Sequence, residues 1–365
     1  MSFAYRADQV GSLLRPQELL DLRKDSNADP SRLRECEDRH ILRVLNRQKD
    51  LGFKILSDGE FRRGGFMSDF YDSIDGIDRD GSIARLWRGQ SGLQDNRLIG
   101  IVVEKIRQKK RLTAHESAFL KANSAGDFKM TLPTANQFPA IMYKTELSDE
   151  AYPSYADFLW DVVPVIRAEI QALANEGVKY IQIDAPRYSY YIDPKWRQYV
   201  HDEMGIDPEQ ALDEAIIADN ACLEGLRRDG IVIAIHLCRG NNRSQWYAEG
   251  GYDPIAEKLF GRLNVDAFLL EYESERAGTF EPLRFIPRTK SVVLGLVSSK
   301  LPELESKDQL KRRIDEASRY VPLENLALSP QCGFASTSEG NLLTEEDQWR
   351  KLELVVETAR EVWGE

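Results

Sequence analysis

Five side chains of kinds that bind metal ions stand at or just beyond the ends of apolar, β-branched runs. In IVIAIHLCRG, residues 231–240, His236 and Cys238 are two apart where the run stops. In VDAFLLEYE, residues 265–273, Glu271 and Glu273 hold the matching places, and Cys332 follows the run in ENLALSPQCG, residues 324–333. Residues two apart on an extended chain project to one side, so His236 and Cys238 could face a single ion. Zinc takes thiolate at about 2.3 Å and imidazole or carboxylate at about 2.0–2.2 Å, usually in tetrahedral array. His-x-Cys alone reads more readily as a packed imidazole beside an inert thiol. Cys332 supplies the third donor that gives the metal reading weight. Cys36 and Cys222 lie inside helical patterns and read as structural, while His40, His115 and His201 read as solvated or helix-packed.

Two carboxylates and a glycine corner suggest a second kind of chemistry. In QVGSL the backbone N–H groups of Gly11 and Ser12 could hold a substrate carboxylate, because glycine lets a ligand approach the chain closely. Glu60 in SDGEFRR and Asp184 in IQIDAP could together take an ammonium group. Glu60 beside Arg62 and Arg63 could instead be a surface ion pair, and Asp184 ahead of Pro186 a turn residue.

Something must bring these positions to one place. Eight short runs, beginning at Arg6, Phe53, Phe128, Val178, Ile231, Val265, Ser291 and Glu324, alternate with helical patterns such as DRHILRVLNRQKDLG and YADFLWDVVPVIRAEIQALANEG. That alternation predicts a parallel sheet, and eight strands are what a (β/α)8 TIM barrel needs. Three helical patterns run into Gly52, Gly177 and Gly230 just before the next strand, as helix C-termini do. In such a barrel the C-terminal strand ends converge on one mouth, where active sites are built. The expectation is a single barrel domain over residues 1–365. An insertion at about 71–127, between the second and third strands, would carry its own LIGIVVEKI and AHESAFLKAN patterns.

Composition narrows the partners. With 42% hydrophobic and 30% charged residues the chain reads as globular, and a net charge of −11 argues against nucleic acid, whose phosphates need clustered positive potential. The basic stretch KIRQKKR, Lys105 to Arg111, reads as a solvated face of the insertion. No apolar run approaches the ~18 residues of a membrane helix, no signal sequence is evident, and four cysteines without framework spacing suit a reducing compartment. The expectation is a cytoplasmic protein, with room left for a homo-oligomer.

QVGSLLRP, SDGEFRR, IQIDAP, IHLCRGN, LEYESERAG and LSPQCGF occur in that order along the chain. Together they resemble the cobalamin-independent methionine synthase family, in particular its zinc-bearing C-terminal barrel and single-barrel homologues, within the superfamily that includes uroporphyrinogen decarboxylase. The resemblance implies a methyltransferase with zinc held by His236, Cys238, Cys332 and a glutamate, Glu271 in preference to Glu273. It also implies that Glu60 and Asp184 act as catalytic and substrate-binding carboxylates, with Gly11 and Ser12 binding substrate. The substrates would be a small thiol, homocysteine above all, and a methyl donor, either a folate or a corrinoid carrier. Two features depart from the two-barrel members: this chain supplies one barrel, and GLVSSKLPE puts Ser298, Ser299 or Lys300 where those members carry a histidine. Two rival readings are an epoxyalkane-coenzyme M type thiol transferase and a metal-free decarboxylase-like lyase.

Overall fold

The computed structural model describes residues 3–89, 92–226 and 229–364. Its strands are β1 (Ile55–Leu56), β2 (Ile74–Gly89), β3 (Gly92–Gln108), β4 (Asp127–Pro133), β5 (Tyr180–Asp184), β6 (Val232–Leu237), β7 (Ala267–Glu271), β8 (Ser291–Val297) and β9 (Leu326–Pro330). Seven of them form one curled parallel sheet in the order β1-β4-β5-β6-β7-β8-β9, with β2 and β3 paired separately. The architecture is α/β and TIM-like. Residues 6–13, expected as a full strand, contribute only a parallel bridge, Ala7 to Leu328, with Asp8 N–H donating to Leu328 O and Leu328 N–H to Arg6 O at 2.9 Å.

Side chains secure that segment where a ladder does not. Lys129 and Asp8 form an ion pair at 2.6 Å inside the sheet, and Lys129 Nζ also donates to Gln9 O and Gln182 Oε1. Gln182 Nε2 donates to Val10 O at 2.6 Å, and Ser57 Oγ to Gly11 O at 2.6 Å. Burying these charges is tolerable because each is paired and hydrogen-bonded.

Period-two alternation divides the strands between two cores. Tyr180, Ala234, Ala267, Leu269, Val293 and Ala327 pack together inside the curl. Ile181, Ile183, Ile233 and Ile235 face outward into the larger core shared with the helices. Continuing the inward parity by one or two steps brings Asp184, His236 and Glu271 to the C-terminal rim.

The helices follow their caps. Pro30–Leu51 starts where Asp29 accepts from Ser31 N–H and ends at Gly52; Tyr155–Asn175 starts where Ser154 accepts from Asp157 N–H. The helix expected to run to Gly230 occupies Pro208–Cys222 only. Beyond buried Leu223, Gly225 takes φ +73°, the left-handed conformation that turns a chain out of a helix. Arg227 and Arg228 lie outside the described residues.

Between β1 and β4 the chain forms an antiparallel ribbon, β2 with β3, followed by helix Ala114–Asn123. Val102 O accepts from Ser148 Oγ at 2.6 Å and Ile106 N–H donates to Tyr152 OH at 2.8 Å, which fixes the ribbon's base. Near its tip Arg88 and Trp246 exchange backbone hydrogen bonds of 2.6 and 2.8 Å, and Arg88 Nη1 lies 3.1 Å from Glu249. Two cations of the basic stretch have close acidic partners, Lys109 with Asp75 at 2.8 Å and Arg111 with Glu169 at 2.8 Å. No described helix is long and apolar enough to cross a membrane.

Candidate functional site

At the end of β6, His236 and Cys238 meet Cys332, which follows β9. One ligand atom from each lies within 4.8 Å of the others, and Cys332 Sγ is 3.4 Å from His236 Nε2. All three side chains are buried. A hydrogen bond from Cys332, with His236 adding to it, holds the Cys238 thiol well below its ordinary value against the effect of burial. The same bond and burial push Cys332 well up. Burial lowers the His236 value, but its contacts with Cys238, Asp184 and Glu271 more than reverse this. His236 Nδ1 is buried without a hydrogen bond. Two sulfurs and an imidazole so gathered are a donor set that fits zinc.

Glu271 ends β7, fully buried, outside that 4.8 Å grouping. Its Oε2 accepts from Arg239 N–H at 3.0 Å and its Oε1 from Arg276 Nη2 at 2.6 Å. Burial would raise its pKa, but Arg276, Arg239 and Lys300 outweigh that and hold it below the ordinary value. Glu273 shares Arg276 at 2.5 Å, and burial beside Glu271 raises it. Lys300, in the stretch after β8, donates to Asn241 Oδ1 at 2.8 Å and to Gly240 O.

A cavity of about 420 Å³ opens above the sulfur pair and is also lined by Ser12, Glu60 and Asp184. Glu60 is no surface ion pair: it is buried, with Oε1 accepting from Thr131 Oγ1 at 2.8 Å, Arg63 at 3.9 Å and Oε2 unpartnered. Gln182 Nε2 donates to Asp184 Oδ1 at 2.8 Å, and burial with Glu60 nearby raises Asp184 to about 7, though His236 opposes this. Gly11 has φ +144°, and a Cβ there would stand 2.8 Å from Glu60 Oε1 and 2.9 Å from Thr131 Cγ2. Gly333 fits Ser12 as closely, since a Cβ would fall 2.0 Å from Ser12 Oγ. These two glycines let the first and last segments of the chain close on the cavity.

The residues singled out from sequence thus share one region, with Glu271 set back and held by the Arg239 backbone N–H and the Arg276 guanidinium. Sequence reasoning missed Arg239, Arg276 and Arg187. Their signal was weak: each is a cation in a polar loop, and only the fold shows Arg239 and Arg187 buried and Arg276 largely enclosed. A second donor grouping, Glu18, Cys36 and His40, lies nearer the surface, but Arg39 already sits 2.6 Å from both Glu18 oxygens.

Residues 14–361 match the family described as the catalytic domain of cobalamin-independent synthases. An uncharacterised Bacillus subtilis protein, YxjG, is 39% identical over 98% of this chain and 95% of its own. A Listeria monocytogenes structure, provisionally designated a vitamin-B12 independent methionine synthase, matches with a TM-score of 0.74 at 31% identity over 100% of both chains. A B12-independent methionine synthase from Shewanella shares the fold, with a TM-score of 0.75 at 20% identity over 98% of this chain and 97% of its own. The resemblance read from six short motifs therefore holds across almost the whole sequence, and the chain belongs to the cobalamin-independent methionine synthase family.

Proposed function

We propose that the protein is a cytoplasmic zinc-dependent methyltransferase that alkylates the thiol of homocysteine to give methionine. The observation that carries this reading is the convergence of His236, Cys238 and Cys332 beneath a cavity that also contains two buried carboxylates. Those three residues would hold zinc, with Glu271 as fourth ligand once one of its oxygens is released by an arginine. When bound, zinc keeps an acceptor thiol ionised at neutral pH, where a free thiol of pKa about 8.5 is only a few per cent thiolate.

The other side chains hold the amino acid in line for displacement. The unpartnered Glu60 Oε2 and the Asp184 carboxylate, fixed by Gln182, receive its ammonium group. The backbone corner at Gly11 and Ser12 receives its carboxylate. Phe66, Met67, Tyr71 and Ile141 line the cavity with apolar surface that limits water around the sulfur. The methyl carbon passes from donor to sulfur with the electron pair of its old bond staying on the donor, and the donor is a folate or a corrinoid.

The test is methionine formation by zinc-loaded enzyme from homocysteine with monoglutamyl methylfolate, polyglutamyl methylfolate, methylcobalamin or S-methylmethionine in turn. At least one donor should yield methionine, and activity should track zinc content. Failure with every donor, or equal activity in metal-free enzyme, sinks the reading.

A further inference from the structure

The cavity contains a cation that this reading leaves unemployed. Arg187 lies in the short turns Pro186–Tyr191 after β5, is only 5% exposed, and lines the same cavity as His236 and Cys238. Its Nε donates to Gln137 Oε1 at 3.1 Å and its Nη1 to Tyr190 OH at 2.6 Å. The guanidinium carbon sits 4.9 Å from the Tyr190 ring centre and 5.1 Å from that of Tyr247. Behind it Tyr190 stacks on Trp196, at 4.3 Å between centres and 6° between planes, and Trp196 donates to Tyr247 O.

Every one of these partners is neutral. Among the described residues no carboxylate pairs with Arg187, whereas the equally buried Arg63 holds Glu116 at 2.6 Å. Amide, phenol and ring faces fix where the guanidinium points without cancelling its charge. A buried cation lacking a counter-ion is costly unless an anion arrives, and a guanidinium presents paired donors that suit a carboxylate. The Nη2 edge makes no hydrogen bond among the described residues, so it is available to a ligand.

We propose that Arg187 is a second carboxylate-binding group of the cavity, beside the backbone corner at Gly11 and Ser12, receiving an anionic group of a bound substrate on its unused Nη2 edge. The inference rests on the methyl-transfer reading for its choice of ligands. Phe66, Met67, Tyr71 and Ile141 supply apolar wall for the ligand's body, leaving the anion to Arg187. That carboxylate belongs either to the thiol amino acid or to the methyl-carrying co-substrate, and the chemistry of recognition is the same.

Two ligand pairs separate the sources, with dissociation constants measured by calorimetry on the full chain. The first pair is L-methionine against 3-(methylthio)propylamine. The second is 5-methyltetrahydrofolate against 5-methyltetrahydropteroate, which lacks the glutamate. Wild type should prefer the carboxylate-bearing member of one pair by about tenfold or more. Arg187→Gln should cut that preference severalfold and Arg187→Lys should keep more of it. Preference within the first pair assigns the amino acid, and within the second the methyl donor. Absence of binding or of preference in wild type overturns the proposal, with no variant needed. So does a cooperatively folded Arg187→Gln that keeps the wild-type preference. If carboxylate preference depends on Arg187 while no methionine forms, the methyl-transfer reading fails and the inference stands. Methionine formation without carboxylate preference has the opposite meaning.

Discussion

Cys332 is the residue on which the site's chemistry turns, because its sulfur arrives from the far end of the chain to complete a set begun on β6. Serine in its place keeps the volume nearly constant but offers a harder, weakly acidic oxygen. Cys332→Ser should therefore weaken zinc binding by at least about 100-fold, since even supporting residues around metal sites are worth about 10–100-fold. Competition with a chromophoric chelator measures this, and unchanged zinc affinity would falsify the assignment. His236, Cys238 and Cys332 were legible in the sequence because each follows a recognisable β-branched run, and strand ends in a barrel share one rim. The arginines behind Glu271 were not legible. Arg239 and Arg276 act on a carboxylate 32 and 5 residues away in sequence. Nothing in their local composition separates a buried guanidinium from the solvated arginines common in loops. Glu60 shows the same difficulty: flanking arginines suggested a surface pair, and only contacts with Thr131 and Gly11 reveal that it is enclosed.

At the level of elements, the strands were easier to read than their neighbours. Runs such as YIQID and VIAIHL carry their own signal, and the parallel order follows from the helices between them. Residues 6–13 gave a strand-like pattern, yet they connect through Lys129, Gln182 and Ser57 side chains, which no periodicity encodes. The ribbon was only half visible because β2, IDGIDRDGSIARLWRG, is too rich in glycine and charge to announce a strand. One helix carries a testable electrostatic load. Asp219, buried in Pro208–Cys222, accepts from Tyr188 OH at 2.8 Å. Burial raises its pKa from 3.8 to about 7, despite the opposing hydrogen bonds from Tyr188 and from the Asn136 and Ala135 backbone. A folded value above the unfolded one favours the protonated native state. The resulting stabilisation is complete below about pH 3.8 and is lost as pH rises through 7. Between pH 5 and 8, wild type should lose about 2–3 kcal/mol relative to Asp219→Asn. Denaturant melts of both proteins give the comparison, and a pH-independent difference would contradict it.

For the molecule as a whole, a metal held by His236, Cys238 and Cys332 would serve chemistry and not the integrity of the fold. Two separate apolar cores, one inside the sheet and one beneath the helices, provide cohesion that small metal-dependent domains lack. Chelation should abolish methyl transfer while leaving a cooperative melt, with a midpoint lowered by roughly 5 °C. Far-UV circular dichroism of the metal-free protein checks this, and collapse of the spectrum would show that the ion is a staple. The ribbon bears on traffic instead. Ile74 to Arg88 spans at most about 45 Å of extended chain, enough to reach from beside Tyr71 to Trp246, next to Tyr247, and both tyrosines wall the cavity. It is a strap fastened at root and tip. Among the described residues the tip is held by two main-chain hydrogen bonds and one ion pair, whose loss would cost roughly 2 kcal/mol. So light a fastening would let the ribbon loosen at its tip while the sulfur and imidazole donors below kept their places.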